Sequence, residues 1–175
     1  EIPKRDWSSD VCSSDLDHYV PTTIPERQRG VAGISDPEMK RMVEQLAANT
    51  AKAGIRHFGI DDPRQGIMHV AAPELGVIHP GMTVGGTDSH TSTHGAFGCF
   101  SSGIGASQAK HILATQTLWW QARPRTLNVA VNGVLGEGVT AKDVALTIMA
   151  RLGVAGGAGH VIEYTGSTVR AMSME

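Results

Sequence analysis

The stretch GGTDSHTSTHGAFGCFSSGIGAS, residues 85–107, carries the strongest indication of the fold. It follows a strand predicted over residues 82–85 and leads into a helix predicted over residues 103–119. Its small residues suit a tight turn in which the backbone faces a ligand. Ligands of open α/β sheets bind at the carboxyl ends of the strands. The stretch therefore predicts a ligand site at residues 86–91, between a strand and a helix.

The segments on either side alternate between helix and strand patterns. A helix is predicted over residues 37–53, because Asp36 can cap its start and Gly54 can end it in the left-handed conformation. Other strands are predicted at residues 55–60, 127–131 and 161–165, and other helices at residues 66–75, 140–152 and from Ser167 onward. Helices alternating with short strands predict an α/β fold with a mainly parallel sheet.

Composition excludes several classes of protein. The 175 residues carry a formal net charge of −2 and only 5% aromatic residues, so we expect no nucleic-acid partner. No apolar run is long enough to span a bilayer, and we expect no membrane partner. The two cysteines, Cys12 and Cys99, cannot form a disulfide framework or complete a four-cysteine metal site. We therefore expect a reducing, cytoplasmic location.

The first sixteen residues differ from the rest of the chain. Residues 6–16 read DWSSDVCSSDL, in which Ser-Ser-Asp occurs twice without a helical or strand period. We expect residues 1–16 to be a non-native leader that is disordered and unpaired, and residues 17–175 to form a partial α/β domain.

Asp88, Ser89 and His90 place a carboxylate, a hydroxyl and an imidazole in consecutive positions. Backbone amides at the junction of a strand and a helix favour a carboxylate-bearing substrate. The same tripeptide also caps helices in many inert proteins, so the residues alone leave both interpretations open. His90 and His94 would match a metal-binding pair on a helix, but Gly95 disfavours a regular helix there.

Two further imidazoles lie outside this stretch. Asp17 and His18 are adjacent, and a neighbouring carboxylate can raise the basicity of an imidazole and select its tautomer. Considered alone, the pair is typical of a surface turn. His69 has apolar neighbours on both sides, which is typical of a partly buried structural histidine.

Taken together, these motifs resemble the aconitase superfamily and, within it, the large subunits of the isopropylmalate dehydratases. The resemblance runs through four strings across residues 17–175 and does not include residues 1–16: DSHTSTHGAFG at 88–98, HILATQTL at 111–118, GVTAKDVALTIMARLG at 138–153 and GHVIEYTG at 159–166. It implies a three-layer α/β/α domain. It also implies a hydro-lyase that dehydrates and rehydrates a small dicarboxylate on the open iron of a 4Fe–4S cluster.

The resemblance assigns roles to six residues. It implies that Ser89 contacts the substrate and that the catalytic groups are Asp17, His18, His69, Asp88 and His90. In this assignment Asp17 supports His18 and Asp88 supports His69. Cys99 is expected to pack in the core, so no metal ligand is predicted in this chain.

The chain departs from the family at its end. It stops at Glu175, before the three cluster cysteines, and the general base of the family belongs to a separate small subunit. We therefore expect a fragment that is inactive alone and whose parent pairs with that small subunit.

Other functions stay open. Homoaconitase or aconitase activity fits the same motifs, a metal-dependent hydrolase would use Asp88, His90 and His94, and a non-catalytic α/β scaffold would use none of them.

Overall fold

The computed structural model of the chain describes the backbone of residues 11–12 and all of residues 18–115, 117–118 and 122–173. The helices are α1 (Ile24–Arg27), α2 (Pro37–Ala53), α3 (Met68–Glu74), α4 (Ala106–Thr115), α5 (Ala141–Leu152) and α6 (Ser167–Ala171). The strands are β1 (Val11–Cys12), β2 (Arg56–His57), β3 (Thr83–Gly86), β4 (Phe100–Gly103), β5 (Arg125–Ala130) and β6 (His160–Thr165). Short 3-10 helices cover Gly30–Gly33 and Thr91–Phe97.

Within the described part of the chain, the strands form three parallel pairs: β1 with β2, β3 with β4, and β5 with β6. This arrangement confirms the predicted α/β class with parallel strands. Strand β4 was not predicted from the sequence, because its residues Phe-Ser-Ser-Gly lack an alternating apolar pattern. The helix predicted over residues 103–119 accordingly begins only at Ala106.

The clearest helix signal in the sequence is confirmed. Helix α2 covers the predicted residues 37–53, and the Asp36 carboxylate accepts hydrogen bonds from the backbone N–H groups of Glu38 and Met39. Gly54 ends the helix in the left-handed conformation, with φ of 67°. The strand predicted at residues 55–60 is shorter than expected, because only β2 (Arg56–His57) pairs with another strand.

The predicted leader is paired at one point. The backbone of Val11–Cys12 pairs in parallel with Arg56–His57, which differs from the expectation of an unpaired segment. The other residues of 1–16 lie outside the described part of the chain, and their non-native origin stays a prediction.

The chain divides into two compact units, residues 1–118 and 119–175. The first unit contains two apolar clusters. One is built on Ile34, Val43 and Ile60, and the other on Met68, Ala72 and Ile78. The second unit contains the β5–β6 pair with α5 and α6. None of the helices in the described ranges combines the length and apolar character needed to cross a bilayer.

Candidate active site

The candidate site lies at the carboxyl end of β3, where the chain turns through residues 87–90. The turn packs tightly on strand β4. A Cβ atom at Gly103 would lie 2.9 Å from the backbone oxygen of Asp88, which is closer than Cβ atoms approach in proteins. A Cβ at Gly86 would lie 2.5 Å from the Thr91 hydroxyl oxygen. Glycine at both positions is therefore required by the close approach of the turn to its neighbours.

Asp88 is the centre of the site. Its Oδ2 atom lies 2.8 Å from His18 Nε2, and its Oδ1 atom lies 2.9 Å from His69 Nε2. Oδ1 also accepts a 2.6 Å hydrogen bond from the backbone N–H of His90. This backbone hydrogen bond, together with those from the two imidazoles, lowers the pKa of Asp88 far below its usual value of 3.8, although burial opposes the shift. Asp88 is therefore an ionised carboxylate with both oxygens engaged.

Each imidazole is held by a neighbour in the core. Tyr19, next to His18, packs on the Ile34 cluster, and the buried Met68, next to His69, belongs to the second cluster. Thr91, next to His90, has no solvent exposure. The Thr91 hydroxyl donates to the Asp88 backbone oxygen at 2.6 Å, and the Ser101 hydroxyl donates to the Thr91 backbone oxygen at 2.5 Å. Packing of adjacent residues thus fixes where the three imidazoles emerge.

Five of the six predicted site residues come together in this structure. His18, His69 and His90 all lie within 3.4 Å of an Asp88 oxygen, and Ser89 Oγ lies 3.1 Å from His90 Nδ1. The expected contact between Asp88 and His69 is present. Asp17, the sixth residue, lies outside the described part of the chain.

The three imidazoles differ in exposure. The side chains of His18 and His90 are 60% and 76% exposed, whereas that of His69 is 20% exposed. An open depression of about 300 Å³ adjoins Asp88 and is lined by His18, Tyr19, Thr87, Asp88 and Ser89. His18, which lines this depression, and the exposed His90 are accessible to solvent, whereas the less exposed His69 contacts Asp88 Oδ1.

A fourth imidazole, His94, was not predicted as part of the site. It is completely buried in the 3-10 helix Thr91–Phe97, and its Nε2 atom lies 3.2 Å from His69 Nδ1. Burial, with a smaller contribution from the charge of His69, lowers the pKa of His94 below its usual value of 6.5. The spacing of His90 and His94 was the only sequence signal for it. Gly95 was expected to disfavour a regular helix there, and the 3-10 helix that forms instead leaves His90 exposed and buries His94.

Asp88 and two neighbouring histidines offer donor atoms that could hold a metal ion. One nitrogen each from His69 and His90 and one oxygen from Asp88 lie within 4.8 Å of one another. In the structure, however, His69 Nε2 and Asp88 Oδ1 are hydrogen-bonded to each other, so a metal would have to replace that bond. The hydrolase alternative required Asp88, His90 and His94. The described residues do not gather that trio, because the His94 ring is buried against His69 instead.

The cysteines of the chain do not fit a 4Fe–4S cluster. Cys99 Sγ lies 3.2 Å from the backbone oxygen of His79, and the residue packs against the Met68 cluster, as expected for a core position. The side chain of Cys12 lies outside the described part. Three thiolate ligands cannot come from two cysteines, one of which is engaged in packing.

The site of this α/β protein is thus a strand-end carboxylate that contacts imidazoles from distant segments of the chain. The sequence profile of the aconitase family (aconitate hydratase) matches residues 4–175, and the chain belongs to this family. The match begins well before Asp17, where we expected the resemblance to start.

Two curated relatives place the chain more narrowly. It is 50% identical over 169 residues to the 3-isopropylmalate dehydratase large subunits of Psychrobacter cryohalolentis and of Psychrobacter arcticus. Each alignment covers 97% of this chain but only 36% of the relative. The chain thus spans about a third of the length of the curated relatives that it matches.

Proposed function

We propose that this chain is part of the large subunit of a 3-isopropylmalate dehydratase. This hydro-lyase converts 2-isopropylmalate to 3-isopropylmalate by dehydration and rehydration, a step of leucine biosynthesis. The observation that carries the proposal is the Asp88 carboxylate, which joins His18 and His69 at 2.8 and 2.9 Å beside the exposed His90. The 50% identity to two large subunits of that name supports the choice of substrate.

The geometry supports a different role for each of these residues in the reaction. The ionised Asp88 orients His18 and stabilises its protonated form, so that His18 can give a proton to a departing hydroxyl group and recover it afterwards. His90 is the most exposed of the three, and its Nδ1 atom lies 3.4 Å from Asp88 Oδ1. His69 uses Nε2 on Asp88 and Nδ1 on His94, so it acts through Asp88. Ser89 lines the depression and can hydrogen-bond a substrate oxygen.

The cluster and the partner belong to the proposal for the full-length protein. A 4Fe–4S cluster would supply Lewis-acid chemistry for the hydroxyl and a carboxylate of the substrate, but this chain lacks the cysteines to bind it. We infer that those ligands lie elsewhere in the full-length protein, that a small subunit completes the site, and that the protein is cytoplasmic. The chain alone, treated with iron and sulfide, is expected to show no visible cluster absorbance, whereas a stoichiometric cluster on it would contradict this inference.

An aconitase-type substrate is the second candidate, because the matching family is described as aconitate hydratase. Isopropylmalate, homoaconitate and aconitate chemistry share a hydroxyl next to a carboxylate, so the groups around Asp88 do not by themselves distinguish these substrates. Assays of the full-length protein with its small subunit on each substrate separate the candidates. A kcat/KM highest for isopropylmalate supports our proposal, and a preference for either of the others refutes it.

Substitution of the exposed imidazoles tests whether the site is catalytic at all. In the full-length protein, His18→Ala and His90→Ala should each lower turnover by roughly 10²–10⁴-fold, the usual contribution of an acid–base group. His79→Ala, at an exposed histidine away from the depression, is the matched control and should leave turnover unchanged. A non-catalytic scaffold would tolerate all three substitutions equally.

A further inference from the structure

His94 is the most deeply buried ring of the site region and has no role in the function proposed above. Its side chain is wholly shielded from solvent. The ring centroids of His94 and His69 are 5.1 Å apart, and the planes are tilted by 58°, so the contact is a hydrogen bond through the ring edges and not a stack. Nδ1 of His94 has no hydrogen-bond partner among the described residues.

The neighbours of His69 determine where its proton lies. Nε2 of His69 faces Asp88 Oδ1 at 2.9 Å. An ionised carboxylate only accepts hydrogen bonds, so His69 Nε2 must carry a proton and donate it. A neutral His69 then presents a lone pair on Nδ1, and this atom faces His94 Nε2 at 3.2 Å. One ring must supply the hydrogen of this second contact.

Burial selects His94 as the donor. A charged ring is disfavoured in this dry position, and the pKa of His94 is lowered accordingly. A neutral His94 carries one N–H. If that hydrogen were on Nδ1, a buried donor would have no partner, which folded proteins rarely tolerate. With the hydrogen on Nε2, Nδ1 of His94 carries only a lone pair, and the group left without a hydrogen-bond partner is an acceptor.

We propose that His94 is a positioning residue that donates its Nε2–H to His69 Nδ1. This bond fixes the ring of His69 so that its own Nε2–H points at Asp88 Oδ1, and Asp88 Oδ2 is then left for His18. Four groups form a chain, in the order His94, His69, Asp88 and His18, that leads from the core to the exposed side of the site. The catalytic consequence rests on the proposed function, whereas the direction of the hydrogen bond does not.

The direction of the bond can be measured on this chain directly. With ¹⁵N-labelled histidine at neutral pH, long-range ¹H–¹⁵N correlation spectra assign the proton on each ring nitrogen. We expect a proton on His94 Nε2, no proton on His69 Nδ1, and a scalar coupling between these two nitrogens across the hydrogen bond. A proton on His69 Nδ1, or no coupling, would overturn the proposal without any variant having to fold.

Two variants of the full-length protein test the consequence for turnover. His94→Phe keeps a ring but removes the donor and should lower kcat by about 10–100-fold, the usual effect of losing a supporting hydrogen bond behind an active site. His94→Gln keeps an N–H at the position of Nε2 and should restore most of kcat. Equal activity of His94→Phe and the original protein, or a His94→Gln variant no better than His94→Phe, contradicts positioning. If the unaltered full-length protein lacks hydro-lyase activity, the proposed function fails, and the spectra alone decide the role of His94.

Discussion

The two compact units differ in what stabilises their secondary structure. All of the buried apolar side chains among the described residues lie in residues 1–118. In the described part of residues 119–175, only Gly166 and Thr168 are buried. Helix α5 has no buried residue, and several large apolar side chains of this unit are exposed: Val139, Leu146, Met149, Leu152, Val161 and Tyr164. The first unit depends on buried side-chain packing, which its candidate site requires, whereas the second relies mainly on the backbone pairing of β5 with β6 and on the cap of α5.

The largest expected effect on turnover is at Asp88 in the first unit, and Asp143 in the second unit provides the control. In the full-length protein, Asp88→Asn should lower turnover by roughly 10²–10⁴-fold, because a neutral amide cannot stabilise the protonated form of His18 as the carboxylate does. Asp143→Asn is the matched change in the second unit, where the carboxylate only caps α5 by accepting from the backbone N–H of Thr140 at 2.8 Å. Steady-state kinetics of the two variants check the comparison. Equal losses would show that Asp88 has no special role.

Alanine substitutions at two glycines compare how tightly the two units are packed. Gly86→Ala should lower the free energy of unfolding by about 1–3 kcal/mol, the usual cost of overpacking, because its Cβ would lie 2.5 Å from the Thr91 hydroxyl oxygen. Gly136→Ala has its nearest neighbour, a Val139 methyl carbon, at 3.8 Å and should be nearly neutral. Denaturant unfolding measures both. A neutral Gly86→Ala would mean that the turn can move away from its neighbours.

The sequence could predict features that local residues determine, but not those that depend on distant contacts. Helix α2 was predicted to the residue, because Asp36 and Gly54 mark its ends locally. The position of Asp88 after a strand was also predicted. Strand β4 and the burial of His94 could not be predicted, because both follow from long-range contacts that leave no periodic pattern. The convergence of His18, His69 and Asp88 came from the family resemblance, since 70 residues of chain separate His18 from Asp88.

Acid should destabilise the first unit through Asp88. The pKa of Asp88 is lower in the folded chain than its usual 3.8, so the ionised carboxylate stabilises the folded state above about pH 4. That contribution is lost as the pH falls from there toward the folded pKa, at a slope of at most about 1.4 kcal/mol per pH unit for one proton. Unfolding measured between neutral and acid pH should give a shallower decline for Asp88→Asn. An identical decline would contradict the low pKa.

The smallest effects are expected at the helix caps, where the two units should differ in whether the loss is global or local. Asp36→Ala and Thr140→Ala each remove a capping side chain, at a cost of about 1 kcal/mol. Helix α2 also buries Val43 and Thr50 in the first unit, so it should stay formed and the loss should appear only in global stability. Helix α5 buries no residue, so Thr140→Ala should instead fray its first turn. Amide hydrogen exchange distinguishes the two outcomes, because fraying accelerates exchange in the first turn of α5 alone. Equal local acceleration in both helices would mean that tertiary packing protects α2 no better than α5.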